Sequence, residues 1–191
     1  MTTLGNRRQK SGELTATTEK YIKAVYLLGE GGARVTGAQL ARRMGVSAPT
    51  VSATIARLAR IGLLVPKVRG AYLTQRGRKL AEDLLCRHHL LERWLFEVLG
   101  VDWAHVHAEA CALEHALTPA VVERMAAMVG SCETCPHGNP LPGRCAASPQ
   151  PVIPLARAAT DCEIVLDRIA EGAEDDSLLL EYLHRERLLP G

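Results

Sequence analysis

The sequence predicts a mainly α-helical protein, and three observations support this. Aromatic residues make up only 4% of a chain that is 47% hydrophobic, which favours helices packed through leucine, alanine and valine over a large β-sandwich. Apolar residues recur at helical spacing in several segments. Capping residues precede these segments and glycines follow them. With 191 residues, the chain can hold one domain and a smaller second one.

The N-terminal part predicts three helices and a hairpin. A helix is expected over 15–30, and two shorter helices are expected to begin after the capping residues Thr36 and Ser47. Short strand-like runs at 63–65 and 71–73 flank a basic tip. Three helices followed by a basic hairpin describe a winged helix-turn-helix, which is a DNA-binding module.

The remaining residues predict further helices and a linker. Helices are expected over 74–99, over 102–117, and from Thr118 to near Gly130. The segment 131–154 contains six of the ten prolines, which indicates a loop. A strand over 161–169 and a helix over 175–189 are expected near the C-terminal end.

Charge divides the chain into two unlike parts. The first 75 residues hold 12 Lys+Arg and 3 Asp+Glu, a net charge of +9, and the rest carries a net charge of −7. A basic N-terminal part favours an anionic partner, with nucleic acid as the leading candidate. No segment predicts a membrane span and the N-terminus does not resemble a secretory signal, so a cytoplasmic location is expected.

Two helical stripes carry residues that bind metals. The candidates are His107, Cys111, Glu114 and His115 on one expected helix, and His88 and Glu92 on the helix before it. Residues four apart share a helix face, so imidazole, thiolate and carboxylate groups would line one surface. Such a donor set suits Fe²⁺, Mn²⁺, Co²⁺ or Zn²⁺. His89, by contrast, is expected at the surface.

A cysteine-rich loop offers a second candidate site. Cys132, Cys135 and Cys145 lie in the proline- and glycine-rich segment, a pattern typical of a structural Zn²⁺ or an iron–sulfur cluster. His137 or Cys162 could supply a fourth ligand. Because six cysteines in a cytosolic protein favour metal ligands or free thiols over disulfides, unliganded thiols remain the alternative.

The third expected helix carries the candidate DNA-binding surface. Its N-terminal turns are the part that enters a major groove, and they contain Ser47, Pro49, Thr50 and Ser52. Phosphate contacts are expected from basic residues of this helix and of the hairpin: Arg57, Arg60, Lys67 and Arg69.

Five motifs occur along the chain: TTEKYI at 17–22, SAPTVS at 47–52, RHHLLE at 87–92, HAEACALEH at 107–115 and GNPLPG at 138–143. Together they resemble the diphtheria-toxin-repressor and manganese-transport-regulator family of metal-dependent transcriptional regulators. The resemblance extends over about 14–143 in unbroken order, and the combination is specific although each motif alone is weak.

The resemblance implies a homodimeric repressor of iron or manganese homeostasis that binds palindromic double-stranded DNA operators when loaded with Fe²⁺ or Mn²⁺. Co²⁺, Ni²⁺ or Zn²⁺ would act as surrogates. By resemblance, Cys111, Glu114 and His115 match a regulatory metal site, and His88, Glu92 and His107 match an ancillary site. A cysteine at the position of Cys111 resembles the iron-responsive branch. The dimer is expected to form through the 87–99 and 102–117 helices, with Leu91, Leu95, Trp94 and Leu113 on its face.

The resemblance also implies three domains. These are a winged-helix DNA-binding domain over 1–75, a helical metal-binding and dimerisation domain over 76–143, and a linker with a partial, truncated SH3-like segment over 144–191. One residue departs from the family pattern, because Lys20 stands where members usually have a methionine or aspartate ligand. A protonated amine cannot bind a cation, so the regulatory site is expected to be weakened or rearranged.

The sequence leaves two other functions open for comparison. A winged-helix regulator could sense through an iron–sulfur or Zn²⁺ site at Cys132, Cys135 and Cys145. A metal-dependent hydrolase would need an open coordination position and a general base in a cleft. Nothing outside the ligand stripes indicates a substrate pocket, so no enzymatic activity and no small-molecule substrate are expected.

Overall fold

A computed structural model describes residues 15–29, 33–68, 70–142 and 152–191. The chain divides into two compact units, Met1–Arg78 and Lys79–Gly191. Two residues of the predicted sites, Arg69 and Cys145, lie outside the described residues.

The first unit contains the three helices and the hairpin that the sequence predicts. Its elements are α1 (Ala16–Leu28), α2 (Gly37–Met44), α3 (Ala48–Arg60), β1 (Leu64–Lys67) and β2 (Gly70–Leu73). Thr15, Thr36 and Ser47 are the N-caps, and each hydroxyl accepts a hydrogen bond from the third following backbone amide. Gly45 ends α2 in the left-handed conformation, with φ of 63°. These local signals explain why the helices begin and end where they do.

A small apolar core holds the first unit together. Ile22, Leu40, Val51 and Leu58 from the three helices are almost completely buried. The hairpin strands are antiparallel, and Val35 exchanges backbone hydrogen bonds with Ala71. The hairpin is thereby fixed as the wing of a winged helix-turn-helix, while the N-terminal turns of α3 stay exposed.

The second unit is also helical. Its main elements are α4 (Gln75–Glu97), which begins just before the unit boundary, α5 (Val106–Leu113), α6 (Pro119–Val129) and α7 (Ser177–Arg185), with 3₁₀ turns at Glu114–Ala116 and Leu155–Arg157. The helices pack around a core cluster of Leu90, Leu91, Leu95, Val106, Ala110, Met125 and Leu141. Leu91 and Leu95 were expected on a dimer face; instead they are buried in the core of their own chain.

The loop over 131–142 folds into an ordered hairpin-like turn. The backbone amide of Cys135 donates to the carbonyl of Asn139, and that of Leu141 donates to Glu133, both at 2.8 Å. The guanidinium of Arg93 donates to the carbonyls of Thr134 and Cys135. This turn carries the polar side chains of His137 and Asn139 into the interior of the second unit.

The helix expected over 102–117 is shorter at both ends than the sequence predicts. The helix expected over 102–117 begins only at Val106, because Asp102 caps a preceding turn through Ala104. It also ends at Leu113 and tightens into a 3₁₀ turn, so His115 does not share the helix face of His107 and Cys111.

The C-terminal residues differ from expectation as well. The helix near the end is present as α7, but the described residues 152–191 contain no strand, neither at 161–169 nor elsewhere. They therefore do not show an SH3-like domain. Among the described helices, none is both long enough and apolar enough to cross a membrane.

Candidate metal centre and nucleic-acid interface

Four buried side chains of the second unit bring their ligand atoms together. His88, Glu92, His107 and Glu174 each offer one nitrogen or oxygen, and these atoms lie within 4.8 Å of one another. His107 Nδ1 is 2.8 Å from Glu92 Oε1, 2.9 Å from Glu174 Oε2 and 3.2 Å from His88 Nε2. We call these residues the four-residue centre.

Separate elements position the centre. α4 places His88 and Glu92 one turn apart on one face. His107 lies in the first turn of α5. Glu174 comes from the turn before α7, where Asn139 of the 131–142 loop donates a hydrogen bond to its carboxylate. The centre therefore depends on tertiary packing as well as on helical spacing.

The charges within the centre depend on one another. Burial favours a higher pKa for Glu92, but the charge of His88 and a hydrogen bond from His107 hold it well below its usual range. Burial opposes the charge on His107, yet hydrogen bonds led by Asp175 raise its pKa. Burial and repulsion by Glu92 raise the pKa of Glu174 to about 7. Without metal, Glu174 therefore titrates near neutral pH.

A divalent cation fits these residues. His107 Nδ1 has two carboxylate oxygens and one imidazole nitrogen at close range, and one proton cannot satisfy all three. Separations of this size match neighbouring ligands around a metal bound at about 2.1 Å, which lie roughly 3.0 Å apart in an octahedral shell. Imidazole and carboxylate donors suit first-row divalent metals.

The three predicted regulatory ligands do not form one group in this structure. Glu114 is buried, and its Oε2 lies 2.9 Å from His88 Nδ1. His115 Nε2 is 3.5 Å from the other oxygen of Glu114. Cys111 Sγ lies 3.5 Å from His107 Nε2. Glu114 and Cys111 thus each contact a histidine of the four-residue centre.

His88 links the predicted regulatory residues to the four-residue centre. Its Nδ1–H donates to Glu114, whose carboxylate oxygen accepts. Nε2 faces Glu92 and His107, and its lone pair becomes available to a metal once its proton is lost. A hydrogen bond of this kind fixes the tautomer and ring orientation of a metal-binding histidine.

The cysteines of the predicted loop site separate. Cys135 is buried beside His137 and the carboxylates of the four-residue centre. Cys132 packs against the apolar core cluster and joins no group of three ligand atoms among the residues the structure describes. Cys162 is exposed. An iron–sulfur cluster therefore gains no support from the described cysteines.

Sequence reasoning missed three residues of this region. Glu174 joins the centre, and Glu171 forms an ion pair with His89. His89 was expected at the surface but is buried, with Nδ1 donating to the carbonyl of Pro140 at 2.9 Å. Each glutamate lies 82 residues after its partner on α4, Glu171 after His89 and Glu174 after Glu92, so no local spacing could indicate the contact.

The positions expected to face DNA are exposed in the first unit. They are Ser47, Pro49, Thr50 and Ser52 on α3, together with Arg60 and Lys67. Ser47 Oγ and Thr50 Oγ1 lie 2.9 Å apart. Arg57 is half-buried and donates to Thr18 Oγ1 at 3.1 Å, so it also ties α3 to α1.

Comparison with known proteins agrees with this arrangement. The "Iron dependent repressor, N-terminal DNA binding domain" matches 13–71, and the "Iron dependent repressor, metal binding and dimerisation domain" matches 74–143. The iron-dependent repressor IdeR of Mycobacterium tuberculosis is 35% identical, over 93% of this chain and 82% of the relative. The chain belongs to the iron-dependent repressor family. This repressor therefore has a DNA-binding domain and a metal-binding, dimerising domain.

Another curated repressor and two solved repressor structures are also similar to this chain. The diphtheria toxin repressor of Corynebacterium diphtheriae is 39% identical over 69% of this chain and 58% of its own length. The crystal structure of ScaR with bound Zn²⁺ has a TM-score of 0.75 at 32% identity, over 91% of this chain and 80% of that one. A manganese-dependent transcriptional repressor in complex with manganese has a TM-score of 0.71 at 34% identity, over 92% of this chain and 80% of that one.

Family membership also decides the class of activity. The matched domains belong to transcriptional repressors, not enzymes. The chain is accordingly a metal-dependent DNA-binding repressor that dimerises. Its fold is mainly helical, as the composition predicts.

Proposed function

We propose that this repressor senses Fe²⁺ or Mn²⁺ in the cytoplasm and binds palindromic operators as a homodimer while it holds the metal. The observation that carries the proposal is the four-residue centre, buried in the unit that follows a winged helix. Two imidazoles and two carboxylates make a donor set for a divalent metal.

The donor types narrow the choice of metal. The carboxylates and imidazoles of the four-residue centre accept Fe²⁺ or Mn²⁺, and Co²⁺, Ni²⁺ or Zn²⁺ as surrogates. A thiol at Cys111 favours iron over manganese at the second, regulatory set of Cys111, Glu114 and His115. The iron-dependent relative supports the same choice.

The contact between His88 and Glu114 supports communication between the two metal sets. A metal on His88 Nε2 would hold the imidazole with its Nδ1–H towards Glu114. Glu114 would then be oriented for the regulatory set. Metal can favour the DNA-binding state only through a higher affinity for that state, and an ordered ligand set is one source of such a difference.

DNA binding is assigned to the exposed turns of α3 and to the wing. Ser47 and Thr50 lie where hydroxyls can contact phosphates or bases. The phosphate backbone of the DNA would be contacted by the basic side chains of Arg57, Arg60, Lys67 and Arg69. In a dimer, the two recognition helices would enter half-sites one DNA turn apart, about 34 Å. Leu113 of α5 and the exposed Val121 and Met128 of α6 offer apolar surface for the partner.

Selection from random DNA, followed by binding measurements, tests the proposal. Anaerobic metal-free protein is first loaded with Fe²⁺ or Mn²⁺ and used to select a preferred sequence. Fluorescence anisotropy then measures affinity for that sequence with Fe²⁺, Mn²⁺, Mg²⁺ or a chelator. We expect a palindrome bound at least tenfold more tightly with Fe²⁺ or Mn²⁺ than with Mg²⁺. Equal affinity in all four conditions would refute metal sensing.

A further inference from the structure

The tip of the wing has little side-chain packing to hold it in place. β1 and β2 pair as far as Lys67 and Gly70, and the turn beyond this last pair begins at Val68. The side chain of Val68 is 81% exposed, and Lys67 is exposed as well. Lys67, a cation that the wing would present to DNA, thus lies beside a turn that contacts between side chains do not fix.

The segment before α2 packs against the wing through its backbone. Val35 is buried and exchanges backbone hydrogen bonds with Ala71 of β2, at 2.9 and 3.3 Å. A Cβ added at Gly70 would collide with the carbonyl oxygen of Val35 and would lie 3.2 Å from Cγ of Arg34. Glycine at position 70 therefore allows the two segments to approach closely, and this approach brings Arg34 beside the tip.

Arg34 is bonded to the tip itself. Its Nη1–H donates to the backbone carbonyl of Val68 at 3.3 Å, across 34 residues of sequence. The guanidinium is charged, and a charged donor makes a stronger hydrogen bond than a neutral one. Because the bond reaches the turn, it restrains the end of the hairpin that strand pairing leaves free.

We propose that Arg34 positions the wing for DNA binding. By holding the carbonyl of Val68, Arg34 fixes the direction of the tip, so that Lys67 meets the DNA backbone from a turn that is already ordered. Ordering a loop on binding costs free energy, and a loop held beforehand in its bound conformation avoids that cost. Arg34 thus acts through the wing and not through a phosphate contact of its own. The inference rests on the proposed function, because it takes the wing as a part of the DNA interface.

A double-mutant cycle tests the positioning role. Full-length repressor loaded with Mn²⁺ is titrated onto the selected palindrome at several salt concentrations, and fluorescence anisotropy gives the log–log salt slope. The variants are Arg34→Met, Lys67→Ala and the two combined. Arg76→Met is the matched control, because Arg76 also donates from Nη1 to a backbone carbonyl at 3.3 Å, that of Ile61. Far-UV circular dichroism verifies folding.

We expect Lys67→Ala to reduce the salt slope by about 0.9 in the wild-type background, and by less than half of that in the Arg34→Met background. The full reduction should remain in the Arg76→Met background. Arg34→Lys, which keeps a charged donor of nearly the same length, should restore it. Two residues that act independently have additive effects, so non-additivity identifies a residue that acts through the wing.

A second measurement needs no DNA. The ¹⁵N order parameter of the Val68 amide reports picosecond-to-nanosecond motion of the tip. It should fall from about 0.8 in the wild type to below about 0.6 in Arg34→Met, because the tip loses its bond to the guanidinium. In Arg76→Met the order parameter of this amide should not change.

Two results would overturn the positioning role: a full reduction of the salt slope by Lys67→Ala in the Arg34→Met background, or an unchanged order parameter at Val68. A wild-type slope that Lys67→Ala leaves unaltered would defeat the wing's part in the proposed function together with this inference. The same titrations with a chelator separate the two further. Non-additivity between Arg34 and Lys67, with no effect of metal on DNA affinity, supports the positioning role and defeats the proposed metal sensing.

Discussion

Replacing Glu174 with glutamine should stabilise the metal-free second unit and weaken its metal binding at the same time. Glu174 is buried, and burial together with repulsion by Glu92 raises its pKa from 4.5 to about 7. The folded state therefore holds this proton more tightly than the unfolded state does. The resulting stability is fully present below pH 4.5 and is lost as the pH rises through 7.

The size of the effect follows from the two pKa values. The difference between 4.5 and about 7 corresponds to about 3 kcal/mol. Glutamine does not titrate and can still accept the hydrogen bond from Asn139. Relative to the wild type, the variant should gain about 3 kcal/mol of stability between pH 4.5 and pH 8. Metal affinity should fall by about 100-fold or more, since losing even a supporting partner of a ligand costs 10–100-fold.

Urea unfolding in the presence of a chelator measures the free energy of unfolding of the metal-free second unit at each pH. Both tryptophans, Trp94 and Trp103, lie in the second unit, so their fluorescence reports its unfolding. Glu163→Gln, at an exposed position, is the control and should show no such pH dependence. Two results would contradict this role of Glu174: a stability difference between wild type and Glu174→Gln that is the same at pH 4.5 and pH 8, or a variant that binds Mn²⁺ as tightly as the wild type.

Three further substitutions test the DNA-binding and regulatory assignments. Lys67→Ala should weaken binding to operator and unrelated DNA about equally and reduce the log–log salt slope by about 0.9; an unchanged slope in anisotropy titrations would exclude Lys67 from the interface. Thr50→Ala should change the preference between operator variants in competition assays, whereas a uniform loss would assign Thr50 to phosphate contact. Lys20→Met should tighten Mn²⁺ binding by isothermal titration calorimetry and make DNA binding more metal-responsive, and an identical isotherm would contradict a role for position 20 in the regulatory site.

Much of the first unit could be predicted because its signals are local. Thr36, Ser47 and Gly45 act within one helical turn of their own position, so their residue types determine the caps. The hairpin follows from short apolar runs around a basic tip. Arg57 shows the limit of this reasoning: its bond to Thr18, 39 residues away, could not be predicted from local sequence.

The four-residue centre also combines ligands that the sequence predicts with a ligand that it does not predict. His88 and Glu92 were predictable because they lie one turn apart on α4. Glu174 was not, because long-range packing of the turn before α7 brings it to the centre. His115 was misplaced for a local reason, since α5 changes to a 3₁₀ turn at Glu114 and helical spacing no longer applies there.

Metal binding and DNA binding are expected to be thermodynamically coupled in this repressor, and one pair of affinity measurements tests that coupling. Mn²⁺ affinity is measured with and without saturating operator, and operator affinity with and without saturating Mn²⁺. Coupling is reciprocal, so the two affinities must rise by the same factor. We expect equal factors of at least tenfold in the wild type and a factor near one in His107→Ala, which lacks a ligand of the four-residue centre. A wild type whose Mn²⁺ affinity is unchanged by operator would contradict the coupling.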